Sequence, residues 1–414
     1  MAKLNKRRKK KKKALKIIFV ILMVILALLL FALLFWKFGP ADLKADLIKM
    51  LSKQQVVRDI VADEVKDDFE EKVQDTRFNK DDIIVDEEVK KKLTKYQNIV
   101  LFGIDARDDA FDQYTRSDTV IIISINNDTG AVKMVSLYRD TYLNIIGRDG
   151  STYYSMVNAA YSGGGAQSAV STLNTNLDLN ISDYVVVNFS GLREIIDLMD
   201  GIDIKVSENE KNRINKIASD MVEGTDEEAP VLEEYGDLVH LNGLQATAFC
   251  RIRDAVFYDE AGTEYHYDFG RTARQRYVME KLVSKAKGSG VSTLLALAKQ
   301  ILNMNTEDKT FIKTSLDYDQ IMDLIPIMID YNIVGSTGFP FTLSTPNIGG
   351  ADLVVARGLS YNVSELHKFL FDDEAYQPSE TVQSISDYIE NYTGIPEVHL
   401  NEELIQGMVE TEEQ

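Results

Sequence analysis

Three hydrophobic patterns follow one another along the chain. Residues 17–36 read IIFVILMVILALLLFALLFW without a charge, which is about the length that an α-helix needs to cross a ~30 Å hydrocarbon core. From 41 to 97, apolar residues recur at helical spacing among Lys, Asp and Glu, which predicts a helical juxtamembrane stalk. From 98 onward, short β-branched runs alternate with longer amphipathic stretches, and this alternation is typical of an α/β fold.

The individual runs predict the elements of that fold. Strands are expected at 98–104, 119–125, 132–137 and 184–189, and helices at 158–177, 191–199, 242–252, 271–287 and 291–302. Together they predict an α/β/α sandwich-like domain with a central mixed sheet over 98–305. The charged segment 207–237 is predicted to be an insertion. Residues 306–400 form the C-terminal part, with the last forty residues of the chain expected to be peripheral and 401–414 an acidic tail.

The charges around the apolar run predict a membrane topology. Ten Lys and Arg residues and no acidic residue precede it, and such an excess of basic residues stays in the cytoplasm. The run is longer than the ~7–15 apolar residues of a cleaved signal, and no A-x-A cleavage pattern follows it. We therefore expect a cytoplasmic tail at 1–16, a single retained transmembrane helix at 17–36, and an extracellular remainder.

Composition narrows the possible functions. Subtracting the ten basic residues of the tail from the net charge of −19 leaves −29 for the rest of the chain, and so acidic a surface repels nucleic acid. A phosphate ligand then requires a local group of arginines or a metal. The four His residues lack zinc-ligand spacing and no G-x-S-x-G occurs, which argues against zinc hydrolysis and a Ser triad. A lone cysteine, Cys250, leaves a hydrophobic core to stabilise the fold.

Two acidic residues flank the connection between the first two predicted strands. Asp105 follows the first strand and Asp118 opens the second. If the strands are neighbours, the two carboxylates lie at one edge of the sheet and can hold Mg²⁺, which favours a few protein oxygens, waters and phosphate oxygens. The alternative is that each Asp caps a strand end or pairs with a nearby Arg, and the spacing alone leaves both open.

Arginines occupy similar positions at strand ends and helix starts. Arg's planar fork suits bidentate phosphate contact, and a helix N-terminus adds partial positive charge. The alternative is that many of these arginines complete solvated helix faces. Taken as a set, they predict a pyrophosphate site. Its candidate residues are Arg107, Arg139 with Asp140, Arg251, Arg253, Arg271, Arg274 and Gln275.

Six segments in order resemble the LytR-CpsA-Psr (LCP) family of bacterial cell-envelope proteins. They span about 98–287 and read NIVLFGIDAR, RSDTVIIISIN, MVSLYRDTYLNI, VNAAYSGGG, LNGLQATAFCRIRD and DFGRTARQRYVMEKL. The resemblance implies an enzyme that moves a glycopolymer, such as teichoic acid or a capsular or other wall polysaccharide, from a polyprenyl pyrophosphate carrier to peptidoglycan and releases polyprenyl phosphate. Two departures are Tyr138, where the family usually has Pro, and the long span from 253 to 271.

The resemblance also implies roles for particular residues. Asp105 and Asp118 would bind Mg²⁺, and Asp105, Asp118, Arg139 and Asp140 would be catalytic. The pyrophosphate would lie on Arg107, Arg139, Arg253 and Arg271, with Arg251, Arg274 and Gln275 beside them. The lipid tail of family substrates lies in an apolar cavity, for which Ile196, Leu198 and the helix at 291–302 are candidate lining.

Two other functions remain compatible with the sequence. The same site can hydrolyse the lipid pyrophosphate with water as the acceptor, or the chain can be a non-catalytic envelope regulator that binds lipid-linked precursors. The cytoplasmic tail is too short for a DNA-binding domain. The expected setting is the cell membrane of a Gram-positive bacterium, with peptidoglycan as a partner. The identities of the polymer, the acceptor sugar and the catalytic base stay open.

Overall fold

The computed structural model describes residues 63–75, 78–106, 115–289, 291–306, 309–321, 324 and 331–400. The predicted cytoplasmic tail, the apolar run at 17–36, the stalk up to 62 and the acidic tail at 401–414 lie outside these ranges. Within them, no helix is long and apolar enough to cross a membrane.

Helices and strands alternate through the described residues, and we number each kind in chain order. The helices α1 to α10 are Asp63–Lys72, Glu87–Lys92, Asn158–Leu177, Phe189–Leu198, Glu208–Val222, Gly243–Phe249, Tyr267–Gly288, Val291–Leu302, Leu359–Phe371 and Glu380–Thr393. The strands β1 to β8 are Tyr96–Ile104, Ser117–Asn126, Ala131–Leu137, Tyr142–Ile146, Thr152–Met156, Asp183–Asn188, Ile202–Val206 and Gly236–Leu241. The strands β9 to β16 are Phe257–Tyr258, Glu264–Tyr265, Ile312–Thr314, Asn332–Phe339, Leu343–Ser344, Asn347–Ile348, Ala351–Asp352 and Val355–Ala356.

The central sheet is mixed, as predicted. Among the described residues it has six strands in the order β11-β6-β1-β2-β3-β12. β1 runs antiparallel to β2 and parallel to β6, and β3 runs antiparallel to β2 and parallel to β12. β11 and β12 come after residue 305, so the sheet crosses the domain boundary predicted there. With three residues, β11 is too short to produce a recognisable apolar run.

Both faces of the sheet are covered, because side chains alternate between the faces along each strand. Phe102 and Ile104 of β1 pack into one core together with α3, α9 and α10. Ile99 of β1 and Ile121 of β2 pack into a second core on the other face, which Met279 of α7 joins. This explains why the strands read as nearly continuous apolar runs.

The segment predicted as an insertion is a packed part of the fold. Ser207 and Glu210 form a capping box at the start of α5, and Ile214 and Ala218 of this helix are buried in a cluster with α4, α6 and the β7–β8 pair. The segment lacks strands until β8 begins at its end, but it is not an excursion away from the core.

The predicted stalk is wrong for the part that the structure describes. Phe69 and Val73, at the end of α1, are almost fully buried, and Gln74 forms a β-bridge with Thr314. The helical spacing was correct, but the apolar stripe packs against the domain.

The expectation of a peripheral C-terminal end is wrong for α10. Val382, Ile385 and Ile389 are buried in the main core with α3. Their spacing is helical, Ser379 caps the first turn through Val382 N, and Gly394 ends the helix at a φ of 69°. These signals are readable in the sequence, although the acidic composition obscures them.

Candidate active site

The ends of β1 and β2 bring two aspartates to the same edge of the sheet. Ile104 pairs with Ser117 and Gly103 with Thr119, so Asp118 is the extra residue of a β-bulge. Bulges re-aim side chains and are common beside active sites. A Cβ on Gly103 would lie 2.8 Å from Thr119 Cβ, so glycine allows the two strands to approach here. Asp105 follows directly after β1 at this edge.

Arg139, just after β3, joins three carboxylates. Its Nη1 donates to Asp118 Oδ1 at 2.7 Å, and its Nε lies 3.5 Å from Asp140 Oδ2 and 3.6 Å from Asp268 Oδ2. Burial acts to lower the pKa of Arg139, but the carboxylates of Asp268, Asp118 and Asp140 raise it overall. The guanidinium is therefore firmly charged.

Asp268, in the first turn of α7, is contacted by several arginines and was not among the residues predicted for the site. Its Oδ2 accepts a hydrogen bond from Arg271 Nη2 at 3.0 Å, Oδ1 lies 2.9 Å from the same nitrogen, and Arg253 Nε lies 3.6 Å from Oδ1. With Arg139, three arginines meet at this one carboxylate. The available signal was an Asp in a first helical turn, three residues before an Arg.

Arg271 is buried with part of its guanidinium unused. The residue is 3% exposed, and its Nε has no hydrogen-bond partner in the part of the chain that the structure describes. Burial, followed by the neighbouring charges of Arg139 and Arg253, lowers its pKa to about 10, against the opposing effect of Asp268. A buried donor without a partner is costly, so this nitrogen is suited to an anionic ligand.

The surroundings of Asp140 shift the pKa of its carboxyl group upward. Burial raises its pKa, Asp268 adds to the rise, and Arg139 opposes it. Asn158 Nδ2 lies 3.5 Å from Asp140 Oδ1, so the carboxylate is held between an amide and a guanidinium.

Arg251 connects the polar cluster to an apolar cavity. Its Nη2 lies 3.8 Å from Asp105 Oδ2, and its guanidinium stacks over the Phe189 ring at 4.7 Å. The cavity encloses about 470 Å³, open solvent at its mouth included. Its lining residues come from β1, β2, β6, α4, α7 and the residue directly after α6: Leu101, Gly103, Ile104, Thr119, Ile121, Val187, Asn188, Phe189, Leu192, Cys250, Gln275, Val278 and Met279.

The sequence-based candidates for a lipid-cavity lining are not among the residues that line this cavity. Ile196 is buried in the cluster around β7 and β8, Leu198 is among the exposed hydrophobic residues, and neither they nor α8 line the cavity. Several lining residues are instead direct neighbours of the polar cluster: Ile104 precedes Asp105, Thr119 follows Asp118 and Cys250 precedes Arg251.

Two predicted residues do not join the cluster in the structure, and a third cannot be placed. Arg274 is fully buried and donates to Glu210 and to backbone carbonyls. Gln275 lines the cavity, where its Nε2 donates to Cys250 O at 3.3 Å while Oε1 is buried without a partner. Arg107 lies outside the described residues.

The charges of the cluster balance. In the described part of the chain, the arginines 139, 251, 253 and 271 face the aspartates 105, 118, 140 and 268. A pyrophosphate would bring excess negative charge, so its binding is easier if a cation neutralises some of the carboxylates. No group of three or more His, Cys, Asp or Glu side chains is arranged to hold a metal within the described ranges.

The fold and the site together define a class of protein: a mixed α/β domain with a cluster of arginines and aspartates at one sheet edge, beside an apolar cavity. A family model matches residues 54–336, and the chain belongs to the LytR-CpsA-Psr (LytR_cpsA_psr) family. The predicted family and the predicted central mixed sheet are thereby confirmed.

Similar proteins agree with this assignment. One is the polyisoprenyl-teichoic acid–peptidoglycan teichoic acid transferase TagU of Bacillus cereus, 31% identical over 238 residues, which cover 58% of this chain and 66% of that protein. The TagU of Halalkalibacterium halodurans is 30% identical over 227 residues, which cover 55% of this chain and 63% of that protein. The chain thus covers just under two thirds of these relatives' length.

Solved structures show the same fold. A Streptococcus agalactiae protein matches with a TM-score of 0.54 at 21% identity, over 76% of this chain and 99% of that one. TagV of B. subtilis matches with a TM-score of 0.50 at 23% identity, over 69% and 99%.

Proposed function

We propose that this protein transfers a glycopolymer from a polyprenyl pyrophosphate carrier to peptidoglycan and releases polyprenyl phosphate. The observation that carries the proposal is the contact of Arg251 with both an aspartate of the charged cluster and Phe189 of the apolar cavity. A lipid pyrophosphate needs both environments side by side. The activity in the names of the TagU relatives supports the proposal.

The pyrophosphate is assigned to the arginines of the cluster and the lipid to the cavity. Arg139 and Arg271 face the shared aspartates, Arg271 with an unpaired Nε, while Arg253 and Arg251 approach from the turn after α6. The first isoprene units enter between the sheet and α7, where burial of their apolar surface favours binding.

Asp105 and Asp118 fit Mg²⁺ by donor type. Both offer hard carboxylate oxygens at one sheet edge, and the balanced charges of the cluster favour a divalent cation when a pyrophosphate binds. When bound, Mg²⁺ would neutralise charge on the phosphate oxygens as the pyrophosphate link breaks. Both carboxylates are now paired with arginines, Asp118 with Arg139 and Asp105 with Arg251.

The reaction is a phosphoryl transfer. The acceptor hydroxyl oxygen forms a bond to the phosphorus on the sugar side, the bridging P–O bond breaks, and polyprenyl phosphate leaves with the electron pair. Asp140 is assigned as the base that takes the hydroxyl proton, because its raised pKa suits a proton acceptor better than an ordinary carboxylate. The arginines stabilise the charge that develops on the transferred group and the leaving group.

The apolar run at 17–36 is assigned as a single membrane anchor with the catalytic domain outside the cell. The proposed donor is itself confined to the membrane, so tethering raises the concentration of each for the other.

The test is a transfer assay with the full chain in detergent. A labelled polyprenyl-pyrophosphate oligosaccharide, Mg²⁺ and peptidoglycan are incubated with the wild type, with Asp118→Ala, or with Asp237→Ala, a control whose side chain is 93% exposed. We expect label on the peptidoglycan with the wild type and the control but not with Asp118→Ala. Free phosphorylated sugar instead of labelled peptidoglycan indicates hydrolysis, and full turnover by a folded Asp118→Ala protein contradicts the site.

A further inference from the structure

Four tyrosines form a two-layer aromatic stack on the surface beside the β4–β5 hairpin. In the outer layer, Tyr388 and Tyr392 of α10 are 44% and 55% exposed, and their rings are parallel within 7° with centroids 6.0 Å apart. Tyr388 stacks on Tyr154 at 3.8 Å, and Tyr392 stacks on Tyr142 at 5.7 Å. The inner layer therefore fixes the outer rings side by side in one orientation.

This arrangement is more than core packing requires. Val382, Ile385 and Ile389 already bury the inner stripe of α10, while Tyr388 and Tyr392 stand one helical turn apart on its outer side. Rings that are held rigid lose little conformational entropy when they bind a ligand, and exposed tyrosines are typical anchors of binding surfaces.

The charge around the stack limits the ligand. Helix α10 carries Glu380, Asp387 and Glu390 and no Lys or Arg. A polymer with repeated phosphates, such as the donor polymer, is repelled by such a helix. Sugar rings without phosphate are not, and their polarised C–H groups pack well on the electron-rich face of an aromatic ring.

The stack is continuous with the candidate active site. Tyr142 follows Asp140 by two residues, and the β4–β5 pair is tied to the site because Val157 N donates to Thr141 O at 2.8 Å and Asn158 N to Arg139 O at 3.2 Å. A glycan on the tyrosines can thus extend toward the proposed base. Helix α10 also lies beyond the residues that the family model matches, 54–336.

We propose that the outer tyrosines, Tyr388 and Tyr392, bind the glycan strand of peptidoglycan and present its hydroxyl to the active site. This inference rests on the proposed function, because it assigns the place of that reaction's acceptor. The ligand class is an unphosphorylated chain of N-acetylated amino sugars.

The test measures sedimentation of the full chain in detergent with insoluble peptidoglycan stripped of phosphate-containing polymers. We expect Tyr388→Ala/Tyr392→Ala to bind about tenfold more weakly. Tyr388→Phe/Tyr392→Phe keeps the rings and should bind like the wild type. Tyr235→Ala, at a residue that is also 55% exposed but lies outside α10, is the matched control. Wild-type binding by the double Ala variant, or an equal loss in Tyr235→Ala, overturns the proposal.

A second variant protects the test against misfolding. Tyr388→Leu/Tyr392→Leu keeps apolar cover over Tyr154 and Tyr142 without aromatic faces, so it should keep the wild-type melting temperature and still lose binding. Soluble teichoic acid is the second probe. Its binding should not depend on the tyrosines, and a loss in the double variants would contradict the assignment to peptidoglycan.

Kinetics separate this proposal from the proposed function. In the transfer assay, the double Leu variant should raise KM for peptidoglycan about tenfold and leave kcat and the donor KM unchanged. Unchanged kinetics and binding refute the tyrosine site while the transferase stands. If the wild type transfers nothing but still sediments with peptidoglycan in a way that depends on the tyrosines, the proposed transferase activity is refuted and the glycan-binding site stands.

Discussion

Two buried arginines on helix α7, three residues apart, have different surroundings. Arg274 is fully buried, and all three of its nitrogens have partners: Nε donates to Glu210 Oε1 at 3.0 Å, Nη1 to Ile252 O at 3.4 Å, and Nη2 to Ala255 O and Val256 O at 2.9 and 3.1 Å. Arg271 is almost as buried, yet among the described residues only its Nη2 has a protein partner, Asp268, and its Nε has none.

The difference teaches that burial alone does not mark a functional arginine. Burial lowers the pKa of both side chains, so desolvation does not separate them. The two side chains differ in how many of their guanidinium N–H donors have protein partners. Arg274 ties α7 to α5 and to the loop after α6, whereas Arg271 keeps a donor for a ligand beside other arginines.

The largest effect is expected for stability, from Arg274→Ala. Removing one partner of a buried ion pair costs about 3–5 kcal/mol, and here the carboxylate of Glu210 would be left buried and several carbonyls would lose their donor. The free energy of unfolding, measured by denaturant titration, should fall by that amount.

The matched control changes the charge of the partner. Glu210 also completes the capping box with Ser207, a role that Gln can fill at this helix position. Arg274→Ala/Glu210→Gln should therefore be more stable than Arg274→Ala alone. If the double variant is equally unstable, the buried charge is not the cause of the loss.

The same comparison shows how far the sequence could predict the site. Residue type and position at strand ends led to Arg139 and Asp118 as candidates, and the structure brings the two side chains into contact. Arg271 and Arg274 could not be separated in this way, because both follow a helix start in one short motif. Their separation depends on Glu210, which is 64 residues away from Arg274 in the chain, in a segment whose charged composition predicted an insertion.

Arg271→Lys is expected to affect activity instead of stability. Lysine keeps the charge but lacks the planar fork and the Nε donor. Since one lost donor at a developing charge costs about 10²–10³ in rate, kcat/KM for the donor should fall by about that factor in the transfer assay, with little change in melting temperature. Arg213→Lys, at a surface pair with Asp254, should retain activity. Normal kcat/KM in Arg271→Lys would remove Arg271 from the pyrophosphate site.

For the fold as well, local spacing in the sequence predicts some features, whereas others depend on contacts between distant parts of the chain. Within 98–302, Asn158–Leu177 and Val291–Leu302 coincide with the helices predicted from local spacing, whereas α5 and the strands β4, β5, β7, β8, β9 and β10 were not predicted. The packing of α1 and α10 does not follow from spacing alone. An amphipathic helix with many charges is compatible both with a free stalk or tail and with packing against the outside of the domain.

The smallest effect concerns the pH dependence of stability and compares Asp140 of the site with Asp149 of the loop between β4 and β5. Burial raises the pKa of Asp140, so ionising it opposes folding. This penalty is absent below the unfolded pKa of 3.8 and fully present above the folded pKa. Asp140→Asn should therefore melt at a higher temperature than the wild type at pH 7, lose that advantage at pH 3, and lose transfer activity.

Asp149 gives the opposite sign: hydrogen bonds from Ser151 lower its pKa, so Asp149→Asn should be less stable than the wild type at pH 7, with the difference vanishing at low pH. Equal shifts in melting temperature in both variants would show that the folded protein does not disfavour the ionisation of Asp140.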